Sequence, residues 1–290
     1  MNLDDFCILY EDSLPSRIYL QTLIKMNAKP AKIINLKISP NRKSYKIVKS
    51  IVGNRLAMVI LRYYNRRTKF PGTISQFAID TLSYFDLDYV NLRKMDIHRL
   101  GIQTIDVYVN SINSPRVVQE LEKITETKIL FTGGGILRKD ILRTPDKLFF
   151  HIHPGIVPEV RGADCILWSF LTRKKFGYSV FLMNEGIDMG DVLYRQEFSV
   201  KILSERVISL SDNNFYKDLL NFVDPCLRIM AFCNMLKIKP ELSKVSDKKK
   251  IRFNAIEQNP SDGRMFYFMH RRFRELVQDK LRGYIQDDTI

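Results

Sequence analysis

Apolar residues in this chain gather into short runs set apart by polar stretches, and the period within a run shows which element it forms. Asp5–Tyr10 (DFCILY) is a continuous apolar run, read as a buried strand. In Ser16–Met26 the apolar residues Ile18, Leu20, Leu23 and Ile24 follow a helical period, and Ala31–Leu36 reads as a second strand. Gly53–Tyr64 reads as helix, and the basic stretch Asn65–Gly72 as an excursion from the core. The pattern sharpens from Ile105. Ile105–Val109 is a strand, and Ser114–Ile124 is a helix with Ser114 as N-cap and Pro115 in its first turn. Lys128–Phe131 is the next strand and runs into Gly133-Gly134-Gly135; a short helical turn then leads to a strand ending at His153. Ala163–Leu171 reads as a short apolar helix, and Tyr178–Met183 and Val192–Val200 as strands. Strands alternating with crossover helices predict an α/β fold with a mainly parallel sheet, whose ligands sit at strand C-terminal ends.

After about residue 205 the character changes. Phe215–Leu236 reads as a long, mainly apolar helix, Lys237–Arg252 as a lysine-rich connection, and Arg264–Leu281 as a basic amphipathic helix. The expected division is a core over 1–205 and a helical C-terminal appendage over 206–290. The first loop, Glu11-Asp12-Ser13-Leu14-Pro15, lacks a Gly-rich dinucleotide turn, which argues against bound NAD or FAD.

Composition narrows the class. A hydrophobic fraction of 45% supports a packed core. No early stretch reads as a signal peptide and no unbroken apolar run approaches ~18 residues, so a cytoplasmic protein without membrane association is expected. Cys7, Cys165, Cys226 and Cys233 are scattered without a CxxC pair and read as reduced core thiols. The net charge of +14 suits nucleic acid, a phosphorylated small molecule, or simply a basic solvated surface. The aromatic residues in the basic runs do not fall at a spacing that suggests a base-stacking platform, so nucleic acid is the less favoured partner.

The segment HIHPGIVPEVRGAD, His151–Asp164, holds two of the four histidines at the end of an apolar run. Residues two apart on a strand face one side, so His151 and His153 point together. Three readings stand. The pair is structural; or it binds a metal, which requires a third ligand, while His98 and His270 lie far along the chain; or it performs acid–base and oxyanion chemistry with a carboxylate from another loop. Asp188, in GIDMGD, is the natural partner. Gly133, Gly134 and Gly135 read either as a flexible turn or as a close backbone approach to a flat ligand, and Arg161-Gly162 as a loop salt bridge or an anion contact.

The order GGGILRKDIL, HIHPGIVPEVRGADCILW, GYSVFLMNEGIDMGDVL is similar to the formyltransferase family that uses 10-formyltetrahydrofolate, over residues ~104–200. The resemblance implies a Rossmann-like formyltransferase fold and a formyltransferase-like catalytic domain over 1–205. It implies that His153 and Asp188 assist amine attack on the formyl carbon and handle the proton passed to the departing folate nitrogen. By the same resemblance Gly133, Gly134, Gly135, Ile136 and Leu137 cradle the pterin of the co-substrate 10-formyltetrahydrofolate, and Arg161 and Gly162 contact substrate. Two positions depart from the family pattern: His151 stands where the family has an oxyanion-donating asparagine, and Gly155 where it has a serine. Phe181 stands where glycinamide ribonucleotide transformylase has a further histidine. The expected activity is formyl transfer to a primary amine of a small molecule, an amino-sugar nucleotide among them, with His151 as oxyanion donor and no metal. The alternatives are a methionyl-tRNA formyltransferase-like enzyme, a formyltetrahydrofolate hydrolase, and a metal-dependent hydrolase using the histidine pair.

Overall fold

The computed structural model describes residues 3–38, 46–53, 56–57, 60, 70–203, 205–244, 255–259 and 261–287. Five strands run parallel: β1 (Leu3–Tyr10), β2 (Pro30–Ile38), β3 (Gln103–Val109), β4 (Lys128–Phe131) and β5 (Leu148–His153). β6 (Val160–Gly162) stands apart, while β7 (Lys175–Leu182) and β8 (Val192–Ser199) extend the main sheet antiparallel. The order across that sheet is β3-β2-β1-β4-β5-β7-β8. The expected α/β architecture with a mainly parallel sheet is observed, and the glycine run and the histidine pair fall at the C-terminal ends of β4 and β5.

Helix α1 (Leu14–Lys25) starts where Ser13 Oγ accepts the Ser16 N–H at 3.3 Å, with Pro15 in the first turn. The other helices are α2 (Gln76–Tyr84), α3 (Tyr89–Lys94), α4 (Pro115–Lys123), α5 (Lys139–Leu142), α6 (Cys165–Arg173), α7 (Asp212–Asp218), α8 (Asp224–Ile238) and α9 (Arg271–Asp287). β1 is buried on both faces, which explains its unbroken apolar run. Phe6 and Ile8 pack with Leu20 of α1 and Phe232 of α8, whereas Cys7 and Leu9 join Val117 and Leu121 of α4. A third cluster joins α6, α7 and α9 through Phe170, Phe215 and Leu281. All four cysteines are buried free thiols.

Residues 46–53 are helical, as are 56, 57 and 60; the rest of the expected helix Gly53–Tyr64, and Asn65–Lys69 of the expected excursion, lie outside the described residues. The long C-terminal helix is continuous from Asp212 to Ile238 with one wide π turn at Leu219–Val223, ahead of Pro225. By length and a mean hydropathy of 1.3 this run is apolar enough to cross a membrane, but 72% of its apolar window is buried inside the protein. Asp218, Asp224 and Arg228 interrupt it, so it never shows as one apolar stretch.

The expected helix Arg264–Leu281 is corrected. Arg264–Phe266 forms a strand, β9, parallel to β6, and the helix begins at Arg271. Amphipathic spacing carried the reading too far toward the N-terminus. The edge of β6 offers unpaired main-chain groups, and Gly263 at φ +74° turns the chain onto it. A Cβ at Gly263 would stand 1.7 Å from the Pro158 carbonyl oxygen, so this approach admits only glycine.

Candidate active site

β5 aims His151 and His153 to the same side, and the loop between β7 and β8 brings Asp188 to them. One ring nitrogen from each histidine and one Asp188 oxygen lie within 4.8 Å of one another. His153 Nδ1 is 3.4 Å from Asp188 Oδ1, and its Nε2 is 3.2 Å from the Val160 carbonyl oxygen. The Gly162 N–H donates to Asp188 Oδ2 at 3.0 Å. Asp188 holds this position in the left-handed region at φ +54°, which aspartate tolerates better than most residues. Gln258 donates to the carbonyl oxygens of Asp188 and Gly190 and pins the loop from the C-terminal segment.

The turn after β5 depends on Gly155. A Cβ there would meet the Val160 carbonyl oxygen at 2.3 Å and His153 Nε2 at 2.9 Å. The departure from the family serine thus has a local cause: β6 crosses too close for any side chain. Ser179 of β7 locks the same turn, donating to the Gly155 carbonyl at 2.8 Å and accepting the Val157 N–H at 3.1 Å.

Burial sets the protonation of the cluster. It pushes the His151 and His153 imidazoles down to about 3, with the Arg228 cation acting in the same direction. Burial raises the Asp188 carboxyl, against the opposing pull of His151 and the Gly162 N–H. Burial thus disfavours the imidazolium and the carboxylate alike, so the ring rests neutral and the aspartate holds a proton more readily than an exposed one. Nδ1 and Oδ1, 3.4 Å apart, give a proton a path between ring and carboxylate.

His151 differs from His153. Its ring meets Phe181, its cross-strand partner, at 5.6 Å and 70°, and its Nδ1 is buried without a hydrogen-bond partner. His151 also lines a cavity of about 380 Å³ at the ends of β1 and β4, with Glu11, Thr132, Gly133, Gly134, Asp224 and Arg228. A smaller cavity of about 170 Å³ borders the Asp188 loop between Leu142, Phe149, Met183 and Asp191.

Gly133 and Gly134 therefore face a cavity, while Ile136 is 62% exposed beside Gly135. The Leu137 side chain is buried in the apolar cluster that holds Leu142 and Phe149, leaving its main chain for any ligand. Asn113 fixes this loop, donating to the Ile136 carbonyl at 2.9 Å and accepting the Arg138 N–H at 2.7 Å. Arg161 is buried: it donates to the Asp262 carbonyl at 2.8 Å and contacts Met189 Sδ, while its Nε has no hydrogen-bond partner. Gly162 contributes its N–H to Asp188.

Three neighbours of the cluster escape sequence reasoning. Arg228 donates to the carbonyl of Ile152, between the two histidines, at 3.3 Å, and Asp224 accepts from its Nε at 2.9 Å. The available signal was that Arg228 is the sole basic residue between Lys217 and Lys237. Gln258 has no such signal, lying far along the chain in a segment without a period.

Residues 107–213 match the family model described as formyl transferase. A methionyl-tRNA formyltransferase of Caldanaerobacter subterraneus subsp. tengcongensis is 31% identical over 91 residues, which are 31% of this chain and 29% of the relative. That of Clostridium novyi is 33% identical over 100 residues, 33% of this chain and 32% of the relative. The match thus spans under a third of the length of these relatives. A sugar N-formyltransferase structure from Shewanella sp FDAARGOS_354 aligns at a TM-score of 0.46 with 13% identity, covering 96% of this chain and 87% of that one. Residues 107–213, which hold β4, β5, the histidine pair and Asp188, are thus the part of the chain that matches the formyl transferase family.

Proposed function

We propose that the protein is an N-formyltransferase that moves a formyl group from 10-formyltetrahydrofolate to a primary amine of a small molecule. One observation carries the reading: His153 Nδ1 and Asp188 Oδ1 lie 3.4 Å apart, buried together inside the segment that matches the formyl transferase family. When bound, the folate supplies the formyl group and a nitrogen leaving group. His153 and Asp188 take the proton from the attacking amine and return it to the departing nitrogen. A His151 N–H stabilises the carbonyl oxygen as it gains charge. The unpartnered buried Nδ1 of His151 beside a cavity supports that role, since such an atom is costly until a ligand meets it. Gly133 and Gly134 provide main-chain contacts in the same cavity, and Arg161 holds the Asp188 loop through Met189. Four buried free thiols suit a reducing cytoplasm.

An amino-sugar nucleotide is the favoured acceptor, because helices follow the core where a tRNA-acting member appends a β-barrel. A second reading, methionyl-tRNA as acceptor, is favoured by the sequence relatives and by the net charge of +14. The test supplies 10-formyltetrahydrofolate with a panel of amines, amino-sugar nucleotides and methionyl-tRNA, and follows tetrahydrofolate release. Release dependent on one small amine supports the proposal. Release dependent on methionyl-tRNA selects the second reading, and release without any amine makes the protein a hydrolase.

A further inference from the structure

His151, His153 and Asp188 together do something that proton handling does not require: they bring three atoms of metal-ligand type within 4.8 Å of one another. The separation of 3.4 Å between His153 Nδ1 and Asp188 Oδ1 is close to the ~3.3 Å edge that two bonds of ~2.0 Å make at a tetrahedral zinc. The outer contacts are those that orient metal ligands. The Val160 carbonyl can only accept, so the neutral His153 ring carries its hydrogen on Nε2 and turns the Nδ1 lone pair toward Asp188. The Gly162 N–H holds the far oxygen of Asp188 and leaves the near one to face the histidines. His151 brings a third donor through a ring nitrogen, where an asparagine would offer only a harder amide oxygen, and its Nδ1 is buried without a hydrogen-bond partner. Arg228 and Arg161 are nearby cations, and the contact of Arg228 with Asp224 compensates its charge.

We propose that His151, His153 and Asp188 form a binding site for one divalent first-row transition cation of the zinc class. Its two-nitrogen, one-carboxylate set is created by His151 in this chain. The proposal rests on the donor geometry and not on the formyl-transfer reading, though the two meet in one consequence. A bound cation occupies the lone pairs through which the proton would move and the ring that would meet the carbonyl oxygen, so it inhibits transfer.

The experiment uses the full chain, freed of metal with a chelator and without any formyl donor. Zn²⁺ is titrated calorimetrically, and Co²⁺ is followed by its visible absorption, which intensifies in a four-coordinate site. One equivalent is expected to bind, with affinity reduced at least tenfold in His151→Asn and in Asp188→Asn. His98→Asn, which alters the exposed pair of His98 Nε2 and Asp106 Oδ1 at 3.4 Å, should bind as wild type does. Thermal melts identify any variant that has failed to fold, and the two ligand variants act as substitutes for each other. Binding well below one equivalent, or unchanged affinity in the folded ligand variants, overturns the proposal. Stoichiometric binding without any transfer activity leaves it standing and removes the transfer reading; transfer without binding does the reverse.

Discussion

Replacing Gly155 by the serine of the family pattern should damage this protein, and the cost can be worked from the contacts. The added Cβ lands 2.3 Å from the Val160 carbonyl oxygen and 2.9 Å from His153 Nε2. Overpacking a core position costs roughly 1–3 kcal/mol, and a rigid carbonyl at that distance puts Gly155→Ser at the upper end. Pushing β6 away also breaks the bond from His153 to the Val160 carbonyl, worth about 1 kcal/mol. Together these make ~3–4 kcal/mol. At about 2.1 cal/mol/K per residue, a 290-residue chain unfolds with an entropy near 0.6 kcal/mol/K, so Tm should fall by ~5–7 °C. Scanning calorimetry of wild type, Gly155→Ser and Gly72→Ala measures this; nothing lies within 4 Å of a Cβ at Gly72, so that control should melt within ~1 °C of wild type. A Gly155→Ser protein that melts within ~1 °C of wild type would refute the claim that the β6 crossing dictates the residue.

Other perturbations bear on the supporting structure. Gly263→Val, at φ +74°, should lift β9 off β6; Trp168, stacked on Phe266 at 4.5 Å, should then emit further to the red, and unchanged emission would count against the docking. Gln258→Leu removes both hydrogen bonds to the Asp188 loop, each worth about 1 kcal/mol, and should cut transfer kcat more than tenfold while Tm drops only a few degrees. An unaltered kcat would show that the loop needs no such anchor. Burial pushes the Cys7 and Cys233 thiols up to about 12, so between pH 9 and 11 the unfolded thiols ionise while the native ones keep their protons. Stability should therefore fall with rising pH, at up to ~1.4 kcal/mol per pH unit for each thiol, and urea unfolding at pH 8 and 10 that gives equal stability would contradict it.

The sequence reading reached the strands most securely where burial on both faces writes an unbroken apolar run, as at Lys128–Phe131, whose expected and observed limits coincide. It reached His151, His153 and Asp188 because strand alternation and a short loop are local properties. It missed the antiparallel entry of β7 and β8, since an apolar run carries no direction. β9 escaped too, because its pairing depends on the main chain of β6 about a hundred residues earlier. Arg228, Asp224 and Gln258 reach the site through tertiary packing alone. The placing of Leu137 shows the same limit from the other side: a motif locates a residue in the chain but does not say which way its side chain turns.

The most direct measurement is the rate of tetrahydrofolate release from 10-formyltetrahydrofolate, with and without the accepted amine, for wild type, His153→Ala and Asp188→Asn. Release by the wild type should require the amine, and each variant should lose roughly 10²–10⁴ in kcat while remaining folded. Wild-type rates in both variants, or release indifferent to the amine, would contradict the role given to the His153–Asp188 pair.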